Sequence, residues 1–266
     1  MAAKRKWLLS EMTVDEVRTV LKKNSIVLIP MGCTEQHGYH LPLCTDTVTA
    51  KYVACAVGEK LGCVVAPAIP YTFSGGELPG TVNVSTQVLG LYVRDICRSF
   101  ADMGFKRIVL VLGHGGSENI RDIQESLKMF LRMEKTYGKL RIDVVGIWSM
   151  SPTWLKSIAN HNYHADIIET SMILAIKPAL VRKKYVLDKA SVHNNLIADP
   201  DNYQRSDADC TTKGFKEGLC RIPHIWQRPD MKVGVMGNPK GANAKFGQKV
   251  LNEAIANLTK YLKTAR

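Results

Sequence analysis

Residues 25–50, SIVLIPMGCTEQHGYHLPLCTDTVTA, decide how the chain folds. An apolar run from Ile26 to Ile29 ends in Pro30-Met31-Gly32, and Glu35, His37, His40 and Asp46 follow within fourteen residues of that glycine. All four are groups able to bind a metal. Successive side chains of an extended segment point to opposite faces, so Glu35 and His37 share one side. Thr45 or Asp46 then stands where a helix N-cap is expected.

Outward from this stretch the chain alternates apolar runs with amphipathic segments. Thr13, with Glu16 at the capping-box position, opens a short helix running to about Lys23. The strand at 26–30 precedes a helix through Lys60 closed by Gly62, and 63–69 reads as a second buried strand. After the Gly/Pro-rich loop PYTFSGGELPGT, residues 86–103 form a long helix ended by Gly104. Arg107–Leu112 is a strand entering Gly113-His114-Gly115-Gly116, and Ser117–Met133 is helical. Residues 141–148 make a fourth strand, 166–176 a helix stopped by Lys177-Pro178, and 242–264 a final helix after GVMGNP. Strands separated by helices of this length imply right-handed crossovers and a parallel sheet covered on both faces.

At 266 residues and 45% hydrophobic, the chain can bury a large core as one domain over 1–266, with a polar, loop-rich excursion at about 193–233. No apolar leader is expected in MAAKRKWLLSEMTVDE, and no apolar run approaches the ~18 residues that span a bilayer, so a soluble protein without a membrane partner is expected. Seven cysteines, an odd number without a CxxC pair, point to reduced thiols in a cytoplasm. A net charge of +12 would steer an anionic small-molecule substrate. It does not imply nucleic acid: the basic residues are scattered, the longest clusters being Lys4-Arg5-Lys6 and Arg182-Lys183-Lys184, and no aromatic-interleaved basic motif occurs.

In open parallel sheets ligands bind beyond the carboxyl ends of the strands. Glu35 and His37 follow the first strand and His114 the third, so motifs far apart in sequence should meet at one edge, with residues 71–81 and 148–154 lining the same crevice.

These residues resemble the creatininase (creatinine amidohydrolase) family. Its E-Q-H-G-x-H-L-P-L-x-T-D signature is matched from Glu35 through Gln36, His37 and Gly38 to Asp46. Leu78-Pro79-Gly80-Thr81 is similar to its F-P-G-T, Leu112-Gly113-His114-Gly115-Gly116-Ser117 to N-G-H-G-G-N, residues 164–171 to H-A-G-x-x-E-T-S, and Gly234-Val235-Met236-Gly237-Asn238-Pro239 to G-V-x-G-D-P. The resemblance implies a three-layer, Rossmann-like α/β/α domain, often hexameric, with a two-metal hydrolase site for cyclic amides, formamides or related bonds. By position, Glu35 and His114 would hold one metal, His37 the other, and Asp46 would bridge them. Creatininase itself has a further ligand, a glutamate, where Gly116 stands here, and members with the G-H-G-G pattern use the E-T-S glutamate, here Glu169. His164 matches the histidine placed over the substrate and would protonate a leaving nitrogen.

Three carboxylates and two imidazoles suit Zn²⁺ foremost, with Mn²⁺ or Fe²⁺ as alternatives, and two such ions could hold a hydroxide at neutral pH. Leu112, Gly116 and Ser117 depart from the family pattern, so creatinine is not the expected substrate. Hydrolytic C–C cleavage of a cyclic diketone and a catalytically inactive scaffold are the alternatives. Each site residue also has a plainer role open to it. Asp46 fits a helix cap, Glu169 satisfies capping-box spacing with Asp166, and Glu118 suits a first-turn carboxylate facing the helix dipole. His40 is expected to support the loop rather than bind metal. Gly115-Gly116 is open as an anion nest or a tight turn. Trp148, Trp154, His161, His193, His224 and Trp226 are open as pocket or packing residues, and the excursion as a lid or subunit contact.

Overall fold

The computed structural model describes residues 7–208 and 221–264. Four parallel strands, β1 (Ile26–Met31), β2 (Val64–Val65), β3 (Arg107–Leu112) and β4 (Arg141–Gly146), form a sheet in the order β2-β1-β3-β4. Helices α1 (Val14–Leu21), α2 (Thr45–Leu61), α3 (Thr86–Asp102), α4 (Ser117–Met133), α5 (Pro152–Ile158), α6 (Ile167–Ile176), α7 (Ala190–Ala198) and α8 (Ala244–Thr264) complete the regular structure with a short antiparallel hairpin, β5 (Gln204–Ser206) and β6 (Ile225–Gln227).

The apolar strand runs are continuous because the sheet is buried on both faces. Leu28, Val109 and Val111 pack with Val53 and Val57 of α2, Ile168 and Met172 of α6, and Leu251 and Leu258 of α8. Their neighbours Val27, Ile29, Ile108 and Leu110 pack on the opposite side against Leu89 and Val93 of α3 and Ile123 and Leu127 of α4. This is the three-layer α/β/α arrangement. At α1 the capping box forms, with Glu16 N donating to Thr13 Oγ1 and Thr13 N to Glu16 Oε2.

Four expected boundaries change. The run 63–69 yields only the two-residue β2, because Pro67 has no N–H for the ladder; beyond it the chain rejoins β1 through Ile69, whose N donates to Pro30 O and whose O accepts from Gly32 N. β4 stops at Gly146 and Ile147–Met150 turn as a 3₁₀ segment, which folds the Trp148 ring back over Gly146. α8 begins at Ala244 rather than 242, where Phe246 N donates to Asn243 Oδ1. The excursion is partly regular, containing α7, a 3₁₀ turn at Pro200–Tyr203 and the hairpin. The short α5, capped by Ser151, lay outside the sequence expectations. Cys210, Cys220, Lys4-Arg5-Lys6 and the middle of the excursion lie outside the described residues. Among those described, no helix is long and apolar enough to cross a membrane.

Candidate metal centre and its cavity

β1 and β3 end level, Met31 beside Leu112, and a glycine follows each. A Cβ on Gly32 would stand 2.3 Å from Thr47 N, and one on Gly113 2.1 Å from Asp46 O. Only glycine lets the first turn of α2 press against both strand ends, and that contact sets Asp46 between the two loops. Asp46 does not cap its helix. Cys44 is the N-cap without a side-chain bond, and Thr45 Oγ1 donates instead to Pro42 O, which corrects the expectation of a Thr45 or Asp46 cap.

Freed from capping, Asp46 directs its two oxygens to different partners. Oδ1 lies 3.0 Å from His37 Nε2 and Oδ2 3.3 Å from His114 Nδ1. Glu35 Oε2 is 3.0 Å from the same His114 Nδ1, and Glu35 Oε1 accepts from Ser74 Oγ at 2.6 Å. Glu169 Oε2 lies 3.6 Å from His37 Nε2. His37 Nδ1 faces Glu35 O at 3.0 Å, which turns Nε2 toward the carboxylates. Glu35, His37, Asp46, His114 and Glu169 therefore meet, as two triads sharing Asp46, with the ligand atoms of each triad within 4.8 Å of one another. A third grouping joins Glu35, His37 and His164.

Glu169 combines features of both roles open to it. Asp166 is the N-cap, its Oδ1 accepting from Ile168 N and Glu169 N. Glu169 does not close a box on Asp166; its Oε2 accepts at 2.6 Å from Ala165 N, one residue further back, where Ala165 holds φ 52°. The same oxygen faces His37.

Charge in the cluster is strongly redistributed. Burial works against ionised Glu35, yet His114 and His164 bring it down to about 2. Burial likewise opposes the charge of Asp46, and His37 and His114 hold it well below the usual carboxylate range. Burial would neutralise His37, but Asp46 and Glu169 raise it to about 10, and His114 is raised well above its usual value against burial by Glu35 and Asp46. Burial lifts Glu169 to about 8 despite His37. Protons on the two histidines balance the ionised carboxylates here, and they are protons that a divalent cation would displace. Glu35 Oε2, Asp46 Oδ2 and His114 Nε2 are buried without a hydrogen-bond partner, and the donor set is mixed oxygen and nitrogen, so the residues fit divalent transition metals.

A cavity of about 420 Å³ opens beside the cluster, with Phe73, Ser74, Trp148, Trp154 and Tyr203 in its wall. His164 lines it from the loop before α6, with its ring centroid 4.3 Å from that of His37. Its Nε2 lies 2.8 Å from Gln36 O and 3.1 Å from Gln36 Nε2, and burial, then His37, lowers it to about 4. His40 is buried outside the cavity, with Nε2 3.0 Å from Thr170 Oγ1, in the supporting place expected of it. Glu118 and the Gly115-Gly116 turn do line the cavity. His161, His193, His224 and Trp226 do not: they meet Tyr163, Val235 O, Asp207 and the hairpin strand β5 respectively. Asn119 and Tyr203 have no local sequence signal for this site, whereas Ser74 falls in the 71–81 stretch expected to line it, without a signal of its own for bonding Glu35. Ser74 is one residue before Gly75-Gly76 in a loop expected at this edge, which is the only signal that pointed to it.

The fold and cluster define an α/β/α protein with a hydrolase-type polar centre at its sheet edge. A creatininase crystal structure superposes with a TM-score of 0.77 at 23% identity, covering 97% of each chain, and solved forms titled as zinc–zinc and manganese creatininase share the fold. The family model described as creatinine amidohydrolase matches residues 10–262. A mycofactocin precursor peptide peptidase from Mycolicibacterium smegmatis is 30% identical over 240 residues, 86% of this chain and 81% of its own. A creatinine amidohydrolase from Pseudomonas putida is 29% identical over 180 residues, 61% of this chain and 68% of its own. Further matches are named as an inosose hydrolase and a deformylase. The chain belongs to the creatininase family and is a hydrolase of the C–N bond class.

Proposed function

We propose that the chain is a two-metal hydrolase of a small amide, lactam or formamide in a cytoplasm, working as a homo-oligomer, with zinc the first choice of ion and manganese or iron the alternatives. Glu35, His114 and one oxygen of Asp46 would hold one ion, and His37, Glu169 and the other oxygen of Asp46 the second. The observation that carries this reading is Asp46, whose two oxygens serve two separate triads. Cys33, Cys44, Cys63 and Cys97 are free thiols, which supports the cytoplasmic assignment.

Bound ions polarise a carbonyl and activate water at neutral pH. The residues of the chain supply orientation and proton transfer. Ser74 donates to Glu35 Oε1 and leaves Oε2 for the centre. His164, lowered to about 4, is neutral at pH 7. With its Nε2 proton directed at Gln36 O, its Nδ1 would accept a proton from the attacking water and return it to the leaving nitrogen. Trp148 and Trp154 give the cavity apolar walls that keep the reacting carbonyl from bulk water.

Metal analysis, followed by a screen of lactams, N-formyl compounds, lactones and cyclic ketones with Zn²⁺ or Mn²⁺, tests the proposal. The expected result is two ions per chain and turnover of a C–N substrate. Fewer than one ion per chain, with none taken up on incubation, overturns it. Turnover of a cyclic ketone alone would favour C–C cleavage, a reading that the match named as an inosose hydrolase keeps in view.

A further inference from the structure

The cavity has a second polar pole besides the metal cluster. Glu118, in the first turn of α4, and Asp201, on the 3₁₀ turn before the hairpin, both line it, and among the described residues neither side chain has a hydrogen bond or ion pair. Asn119 lines the same wall at 1% exposure, and its Oδ1 is buried without a hydrogen-bond partner. A buried amide oxygen left unpaired is costly, so it calls for a donor. Although the chain carries 36 lysines and arginines, none stands among the described residues that line the cavity. Five aromatic rings do: Phe73, Trp148, Trp154, Tyr163 and Tyr203. Tyr203 lies amid the carboxylates: burial raises its phenol first, then Glu118, Glu35 and Asp201 push it further up. Acceptors without cations, framed by aromatic faces, make a site for a positive, N–H-rich group.

We propose that the outer part of the cavity binds an ammonium or amidinium group of the substrate, paired by Glu118 and Asp201 and donating to Asn119 Oδ1, while the scissile carbonyl lies at the cluster. The proposal rests on reading that cluster as the hydrolytic centre. It departs from the anionic substrate expected from net charge, because the local wall and not the distant surface meets the bound group.

The test uses the zinc-loaded protein and hydroxamic acids, which chelate metals, with an ω-amino, ω-methyl or ω-carboxyl end, each at two chain lengths. Calorimetry should find the ω-amino member tightest at one length, by about tenfold over the ω-methyl member. That ratio should fall toward one in both Glu118→Gln and Asn119→Leu, with metal content as the check on folding. Equal or tighter binding of the methyl or carboxyl member at both lengths overturns the proposal, as does an unchanged ratio in Glu118→Gln. If no hydroxamate binds, the metal-centre reading fails. The pole is then judged by titrating butylammonium and pentanoate against the tryptophan fluorescence of the protein, and ammonium binding that does not depend on Glu118 refutes it.

Discussion

Loading the centre with metal should expel protons in a number set by the cluster. In the metal-free protein at pH 7, His37 at about 10 and His114, raised well above its usual value, each carry a proton. Glu169, at about 8, is mostly protonated, whereas Glu35, at about 2, and Asp46 are ionised. Ligands bind metals in their deprotonated forms, so filling both triads at pH 7 releases about three protons per chain. The combined affinity should then change by about three log units per pH unit over that range. Deprotonating His37 alone opposes binding at pH 7 by about 4 kcal/mol, three pKa units converted to free energy, and much less at pH 9. Titrating Zn²⁺ into metal-free protein in buffers of differing ionisation enthalpy counts these protons directly. Release of fewer than one proton with two ions bound would refute the assignment of His37, His114 and Glu169 as ligands. The same groups predict the pH stability of the metal-free protein. A group raised in the folded state stabilises fully below its unfolded pKa and loses that contribution as pH climbs to the folded value. His37 therefore makes the metal-free Tm fall between pH 6.5 and 10.

Four substitutions separate the remaining roles. Glu169→Gln should drop metal content from two ions toward one per chain while leaving far-ultraviolet dichroism intact, because Asp166 still caps α6; Asp166→Ala should instead cost about 1 kcal/mol of stability in a denaturant melt and keep both ions. His164→Asn should lower kcat by roughly 10²–10⁴-fold with full metal occupancy, and equal activity would remove His164 from proton transfer. Gly116→Ala puts a Cβ 2.5 Å from His114 Nε2, so His114 must turn away and affinity at the Glu35 triad should fall by roughly 10–100-fold in a chelator competition.

The parts of this molecule visible in its sequence are those with local causes. β3 and α4 keep their expected bounds because an unbroken apolar run and the Gly113 to Gly116 turn mark them within a few residues. β2 is shorter than its apolar run because Pro67, visible within that run, lacks the N–H to continue the ladder. Asp46 was ambiguous for a deeper reason. An aspartate in a first helical turn suits a cap and a ligand equally; the choice was made by the approach of α2 to Gly32 and Gly113, a contact between elements that no window of sequence contains. Glu169 was undecided in the same way. Its spacing from Asp166 satisfies a capping box, but the positive φ of Ala165 turns a different N–H toward it.

Gly116 connects the centre to substrate choice. With His114 where it is, even a Cβ at position 116 would collide with its Nε2, so the glutamate that creatininase carries at that position has no room in this arrangement. In the proposed centre Glu169 supplies the carboxylate from α6, on the other side of the cluster. Moving the donor from the α4 side to the α6 side leaves only glycines between His114 and the first turn of α4. That first turn forms cavity wall, where Glu118 and Asn119 line the space beside the cluster. An Asn119→Leu protein should accordingly retain its metal and alter only which compounds it binds.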